Sequence, residues 1–541
     1  MADNSDSFSV VVGSGPAGVS CAKALLAQGK TVRMLDAGVT LERARAEIVA
    51  RLRRTAPPEW ASGDASQIKA GTSASTKGIP LKLAYGSDFP YQEAEKHILA
   101  DYEGVGFRPS FAQGGLSNVW GAAMMPYRNA DIEDWPIQVS ELVPHYEAVL
   151  EFTGLSAVPD DLETLFPLYT RRAIPLESGR QSKLFFSRLQ KARAQLAAAN
   201  VHFGHARLAV KAASPGSTER AERPGCVYCG LCMYGCPYGY IYNSADTLRE
   251  LMQQPGFHYE QDVIVRRVSE VGDTALIEGC NRLTRAPFEM KCRRLYLAAG
   301  VVPTAQILLH SRNLYDQTIW MKDSQYFLLP LAMINAAGDV RKEQLHTLSQ
   351  LFLEITDPSV SPYTVHLQVY SYNDLIGQAV SNALGPLAGP LDFLGHALER
   401  RLLVLQGYLH SRHSARIGVT LRKDAGEGRD RLQLNAELQP ETRHIIRQVA
   451  RKLLGLGWHL RAWPIIPMLQ VAQPGRGFHS GGAFPMRQQP GSLETDVLGR
   501  PFGWRRIHAV DATVLPTIPA TTITFTVMAN AHRIATQSGK L

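Results

Sequence analysis

Residues 8–36 constrain this chain more than any other stretch. FSVVV (Phe8–Val12) is a short β-branched run, the composition of a strand buried in a parallel sheet. It leads into Gly13-Ser14-Gly15-Pro16-Ala17-Gly18, then a helical pattern through Leu25 and Leu26 that stops at Gly29. TVRMLD (residues 31–36) follows as a second strand ending in an acid. Strand, G-x-G-x-x-G turn, helix and acid-terminated strand are the parts of a dinucleotide-binding unit. Glycines at 13 and 15 permit a tight turn and let backbone N–H groups approach a pyrophosphate at the helix N-terminus. Gly18, with Ala22 one turn on, lets the helix lie close to the sheet. Asp36 is placed for the adenosine ribose hydroxyls, and an acid there disfavours a 2′-phosphate. The motif alone does not choose among NAD, NADP and FAD.

At 541 residues the chain exceeds a usual domain several times over, so at least two lobes with separate cores are expected. With 45% apolar and 20% charged residues it is globular in composition. Its net charge of +8, from 57 basic and 49 acidic residues, comes without a long basic block, so no nucleic-acid face is expected. The longest apolar stretch, residues 327–334 (FLLPLAMI), is too short for a bilayer and holds a proline, so no membrane span is expected. MADNSDSFSVVVGSG opens acidic and enters a strand at once, unlike a secretory leader. Four of the seven cysteines share one run while Cys21, Cys280 and Cys292 are scattered, which suits a reducing compartment. A cytoplasmic protein without a disulfide framework is the expectation.

Three distant segments bear on the cofactor. FAQGGLSNVWGAAMMPY (residues 111–127) combines glycines and small residues, as a loop does where backbone lies against a flat ring and a diphosphate. RRLYLAAGVVPTAQILLHS (residues 293–311) reads as a buried strand, a glycine turn and an apolar helix. The third is HAVDATVLPTIPATTITFTVMANAHRIA, residues 508–535.

These blocks resemble the glucose-methanol-choline (GMC) oxidoreductases, a family of FAD-dependent alcohol oxidases and dehydrogenases. The likeness is carried by residues 8–38, 114–135, 295–311 and 478–535, in the family's order, and is faint between them. It implies an α/β fold in which a Rossmann-like FAD-binding domain (residues 1–45, 100–125, 225–315 and 465–541) is interleaved with a substrate-binding domain. The second domain (46–99, 126–224 and 316–464) would be α+β, built on an antiparallel sheet. The resemblance places the cofactor against Gly13, Gly15, Gly18, Asp36, Gly114, Gly115, Ser117, Asn118, Trp120, Val263, Ala299, Gly300, Asp511, Thr521 and Thr522. VDATVLPT resembles the family's V-D-x-S-x-x-P-T, whose aspartate region, here Asp511, reaches the flavin. The last helix would begin near Thr521 and Thr522, and its N-terminus carries about half a positive charge. Aimed at the pyrimidine edge of the flavin, that charge would stabilise the anion formed as the ring accepts hydride.

The implied reaction is oxidation of a CH–OH group to the carbonyl by hydride transfer to FAD, with dioxygen or a redox partner taking the electrons. A base must accept the hydroxyl proton, and histidine suits that task at neutral pH. His479 in GFHSGGAFPM matches the family's His-x-x-Gly-Thr block; Gly482 is retained and Ala483 replaces the threonine. The family's second polar residue, His or Asn, falls on Thr522, which can hydrogen-bond but is no general base. That departure keeps a non-redox lyase of the same fold as an alternative. Trp120 stands where many members have asparagine, and GGLSNVWG looks more like the pyranose, fructose and gluconate branches, so a sugar or other polyol is the expected substrate. Pyranose oxidases carry covalent flavin on a histidine just before that tryptophan; here the residue is Val119, so non-covalent FAD is expected.

VHLQVYSY (residues 365–372) and RLQLNAEL (residues 431–438) alternate with period two and read as strands with one buried face. Residues 442–454 form an amphipathic helix with Ile445, Ile446, Val449 and Leu453 on one side and Arg443, Arg447 and Arg451 on the other. GPLAGPLDFLGHAL (residues 385–398) reads as a lid or connector loop. Gln368, Tyr370, His410 and His413 are candidate polar contacts in the substrate lobe.

CVYCGLCMYGCPYG (residues 226–239) spaces Cys226, Cys229, Cys232 and Cys236 as C-x2-C-x2-C-x3-C-P, the run bacterial ferredoxins use. In two-cluster ferredoxins the fourth cysteine serves another cluster, and this chain has no second run. An iron–sulfur cluster, a structural zinc site and a compact turn stay open, as does a third functional class, an electron-transfer flavoprotein subunit. On the family resemblance the run concerns where flavin electrons go and is not the catalytic centre.

Overall fold

The computed structural model describes residues 8–61, 63–71, 79–213, 225–423 and 430–540. The acidic opening of the chain lies outside them. Phe8–Val12 (β1), Pro16–Leu26 (α1) and Thr31–Leu35 (β2) form the anticipated βαβ unit. β1 sits at the centre of a five-stranded parallel sheet, in the order Ile507–Ala509, Arg294–Leu297, β1, β2, Phe257–Glu260. Val10 and Val11 are fully buried, as the β-branched run requires of a strand covered on both faces. α1 starts with Pro16 in its first turn, where the missing N–H costs nothing, and carries small residues toward the sheet. A Cβ on Gly18 would lie 1.9 Å from the Gly13 carbonyl oxygen, so only glycine permits this approach. The C-terminal helix Ile523–Ser538 packs beside α1, and Ser20 Oγ donates to the Met528 carbonyl at 2.8 Å. The fold is α/β with a Rossmann-like parallel sheet joined to antiparallel sheets.

The largest of these has Tyr326–Met333, Leu402–Tyr408, Val365–Tyr370, Leu351–Ile355 and Val201–His205 as successive antiparallel neighbours. Alternation divides it in two. Phe327, Leu329, Leu331, Leu403, Leu405, Val365, Leu367 and Val369 pack on one side against Ile445, Ile446, Val449 and Leu453 of the helix Pro440–Leu460. Burying each such side chain contributes about 1.5–3 kcal/mol. A second, five-stranded sheet includes Thr318–Asp323, Arg416–Arg422 and Arg431–Glu437, and Leu99–Glu103 joins its edge in parallel.

Three expectations change in physical detail. Val365–Tyr370 is buried on both faces, because the side that alternation marks as polar looks into the protein. The helix expected over 442–454 runs on to Leu460: Gly457 lies where a Cβ would come within 2.3 Å of Trp463 Nε1, so that glycine serves packing rather than termination. The loop expected over 385–398 is largely helical, with Asp374–Leu384 and Asp392–Glu399 joined by a short 3-10 turn. Asn373 caps the first of these, accepting from the N–H groups of Leu375 and Ile376. Among the described residues no helix is long and apolar enough to cross a membrane.

Candidate functional site

A cavity of about 1150 Å³ is lined by both the parallel sheet and the largest antiparallel sheet. That exceeds the usual few hundred to a thousand Å³ of a small-ligand site, leaving room for a dinucleotide and a substrate together. Gly13, Ser14, Gly15 and the start of α1 form part of its wall. Gly13 has φ +99° and a Cβ there would meet the Ala298 carbonyl oxygen at 2.5 Å, so the turn admits no side chain. Gly115, with φ +56°, brings the second glycine loop to within 3.2 Å, measured from its would-be Cβ to Gly15 Cα. The Ser14 hydroxyl ties the two loops together: it donates to Asp36 and accepts from the Gly114 N–H at 2.9 Å. Tyr259 also donates to Asp36, at 3.0 Å, and burial pushes the Asp36 carboxyl up to about 6. A helix N-terminus, a side-chain-free turn and a buried carboxylate at the next strand end are the donor and acceptor set that a dinucleotide fits.

Ser117, Trp120, Val263, Ala299, Gly300 and Asp511 also line the cavity. The carboxylate of Asp511 is already engaged: it accepts from the Gly300 N–H at 2.9 Å, the Thr304 hydroxyl at 2.6 Å and the Thr513 N–H at 2.9 Å. Asp511 therefore locks the C-terminal segment onto the Gly300 turn. Gly18, Gly114, Asn118, Thr521 and Thr522 do not line the cavity. Asn118 shapes its loop, donating to the carbonyls of Gln113 and Gly115. The Thr522 hydroxyl accepts from the Met125 N–H at 3.0 Å. The last helix instead presents Ile523 and Thr524 of its first turn to the cavity.

His479 lines the same cavity. Its ring is stacked on Tyr408 at 4.6 Å, and its buried Nδ1 has no hydrogen-bond partner. Burial pushes its pKa down to about 3, with His366 adding to the depression, so the imidazole is neutral at pH 7. The segment is held by Asp323, which accepts from the Gly475 N–H at 2.9 Å and the Ser480 hydroxyl at 2.7 Å; burial pushes that carboxyl up to about 7.

A crystal structure of pyridoxine 4-oxidase from Mesorbium loti is similar to this chain over 98% of its length and 99% of the other's, with a TM-score of 0.60 and 13% sequence identity. The two proteins share a fold. No protein-family model matches the chain, and no curated protein matches it in sequence.

Tyr370 lines the cavity and donates to Gln368 Oε1 at 3.1 Å one layer beneath. His410 and His413 lie elsewhere. The His410 ring is stacked on Tyr363 at 4.0 Å with Nε2 3.1 Å from the Asp131 carbonyl, and His413 faces Glu441. Cys226, Cys229, Cys232 and Cys236 surround one small cavity with His346. All four thiols are free, and burial pushes Cys226, Cys229 and Cys232 up, Cys229 to about 12. Among the described residues no three His, Cys, Asp or Glu side chains converge to hold a metal ion. The residues missed by sequence reasoning are Tyr408 and Asp323. Nothing in LLVLQGY marks Tyr408, whereas an acid closing the alternating strand Thr318–Asp323 is a signal that could have been read.

Proposed function

We propose that the protein is an FAD-dependent oxidoreductase that converts a CH–OH group to the carbonyl. The observation that carries this reading is that the dinucleotide-type cradle and the unpartnered imidazole of His479 line one cavity. FAD, when bound, supplies the two-electron acceptor for the hydride leaving the alcohol carbon. The chain's residues do the rest. Gly13, Gly15 and the N-terminus of α1 bind the pyrophosphate, Asp36 accepts the ribose hydroxyls, and non-covalent attachment follows from Val119 where a linking histidine would stand. His479 takes the hydroxyl proton as the C–H bond breaks, leaving a C=O double bond on the substrate. Tyr408 orients the ring through stacking, and Asp323 holds the backbone that carries it.

The sugar preference expected from Trp120 has little support in its contacts: the indole Nε1–H already donates to the Tyr242 carbonyl at 2.9 Å and is not offered to a hydroxyl. The test is anaerobic addition of alcohols to the purified flavoprotein while following flavin absorption. Bleaching by at least one alcohol is expected. A spectrum unchanged by every alcohol would sink the reading in favour of the non-redox lyase.

A further inference from the structure

The cavity-facing side of the large antiparallel sheet is graded. Strand register puts Tyr326 opposite Tyr408, Leu328 opposite Gln406, Pro330 opposite Val404 and Ala332 opposite Leu402. The Tyr326–Tyr408 row stands beside His479; the next row mixes Leu328 with Gln406; beyond it come Pro330, Val404 and Leu402. At about 3.4 Å per residue, the path from Tyr408 to Leu402 is roughly 20 Å long. Polar groups therefore cluster at the histidine, and the far part of the path offers none on these two strands.

The helix Asp374–Leu384 lines the same cavity. Ile376, Ala379, Val380 and Ala383, spaced i, i+3, i+4 and i+7, line the cavity, with the polar Gln378 and Asn382 of the same helix beside them. Large apolar side chains stand exposed at the cavity mouth, Leu375, Leu398 and Met468 at 41%, 48% and 46%, alongside the exposed amides of Gln378, Asn382 and Gln470. Large apolar side chains left in water around a cavity mark a ligand route. Along Pro330, Val404 and Leu402 a sugar would lose hydration without regaining hydrogen bonds from those side chains.

Resting on the alcohol-oxidation reading above, we infer that the substrate is an alcohol whose hydroxyl is carried on a large apolar body, an extended alkyl chain or a fused apolar ring system. The hydroxyl is seated at His479 among Tyr326, Tyr408 and Gln406. The apolar body runs along Pro330, Val404 and Leu402. The size of this wall, not a hydrogen-bonding code, sets the specificity.

The experiment measures kcat/KM of the flavoprotein for ethanol, 1-hexanol, 1-decanol, a sterol alcohol, glycerol and glucose. Each methylene along the alkanol series is expected to raise kcat/KM about three- to fourfold, the factor that burial of one CH2 supplies. Glycerol and glucose are expected at or below ethanol, and the ranking of decanol against the sterol separates chain from ring shape. A flat alkanol series, or glucose above decanol, overturns the inference. Ala379→Trp narrows the path from a helix face and is expected to lower the decanol-to-ethanol ratio more than tenfold; an unchanged ratio counts against it. Should no alcohol reduce the flavin, the oxidation reading fails by itself, and the wall is still scored with unreactive amides. The dissociation constant, read by perturbation of flavin absorption, should fall at least tenfold from acetamide to decanamide, and equal affinities would overturn the inference.

Discussion

The imidazole of His479 lies on the ring of Tyr408, with centroids 4.6 Å apart and planes inclined by 16°. Stacking fixes the imidazole without occupying its nitrogens, which keeps an acceptor available inside a largely apolar cavity. His479→Ala is expected to lower the rate of flavin reduction by about 10²- to 10⁴-fold with flavin content retained. Tyr408→Phe keeps the stack and should retain most activity, whereas Tyr408→Leu should lose about tenfold or more. Rapid-mixing absorbance of the three variants checks this, and equal rates for Phe and Leu would dismiss the stack.

Because burial holds the His479 pKa at about 3, its neutral, proton-accepting form persists well into the acid range. The acid limb of kcat/KM is therefore expected below pH 5, displaced from the free-histidine value near 6.5. A pH–rate profile from 4 to 9 decides it; a limb centred between 6 and 7 would show that His479 is not buried as described or is not the base.

His508 gives a stability counterpart away from the cavity. It is 1% exposed, stacked on Tyr296, and burial pushes its pKa down to about 4. The unfolded chain takes up a proton near pH 6.5 that the folded chain refuses until about pH 4. Stability from this group is thus present above pH 6.5 and lost as pH falls through that window, up to about 3 kcal/mol. His508→Gln should lose correspondingly less stability between pH 7 and pH 4.5, measured by urea unfolding at both values.

Gly13→Ala puts a side chain 2.5 Å from the Ala298 carbonyl oxygen at a positive φ, and Gly18→Ala puts one 1.9 Å from the Gly13 carbonyl oxygen. Backbone strain alone costs roughly 1–3 kcal/mol at the first site. Both variants are expected to purify with little flavin and reduced melting temperature. Full flavin content in either would contradict the close approach of α1 to the sheet.

The four cysteines encircle a small cavity without converging as ligands. A chelator is accordingly expected to leave both the melting temperature and the first reduction of flavin unchanged. Iron and acid-labile sulfide near cluster stoichiometry in protein purified without air would reverse that conclusion.

Much of the scaffold was legible because it is locally encoded. The strand Phe8–Val12, the glycine turn, α1 and the acid at 36 depend on contacts within some thirty residues, where side-chain period and glycine conformation act directly. The strand Arg294–Leu297 with its helix was legible for the same reason, whereas the helix start near Thr521 and Thr522 came from the family resemblance. The amphipathic pattern placed Ile445, Ile446, Val449 and Leu453 on a buried face but put the helix end six residues early. Gly457 is held inside the helix, with Trp463 filling the space its missing side chain leaves. The helices over 374–399 were missed because Gly and Pro at 385–390 dominate the local pattern, while the Asn373 cap lies outside it.

The sequence by itself determined the dinucleotide-type cradle, a short motif whose chemistry resides in adjacent residues, while His479 was singled out by the family resemblance of its block. Only the tertiary structure decided that Asp511 is spent on clamping Gly300, that the Thr522 hydroxyl accepts from the Met125 N–H, and that the four cysteines surround one small cavity. Only it decided, too, that the polar-looking face of Val365–Tyr370 turns inward and that the wall beyond His479 is apolar. These outcomes depend on which strands become neighbours and in what register. A period-two pattern says that one face differs from the other; the partner that covers each face is set by contacts between residues tens to hundreds of positions apart.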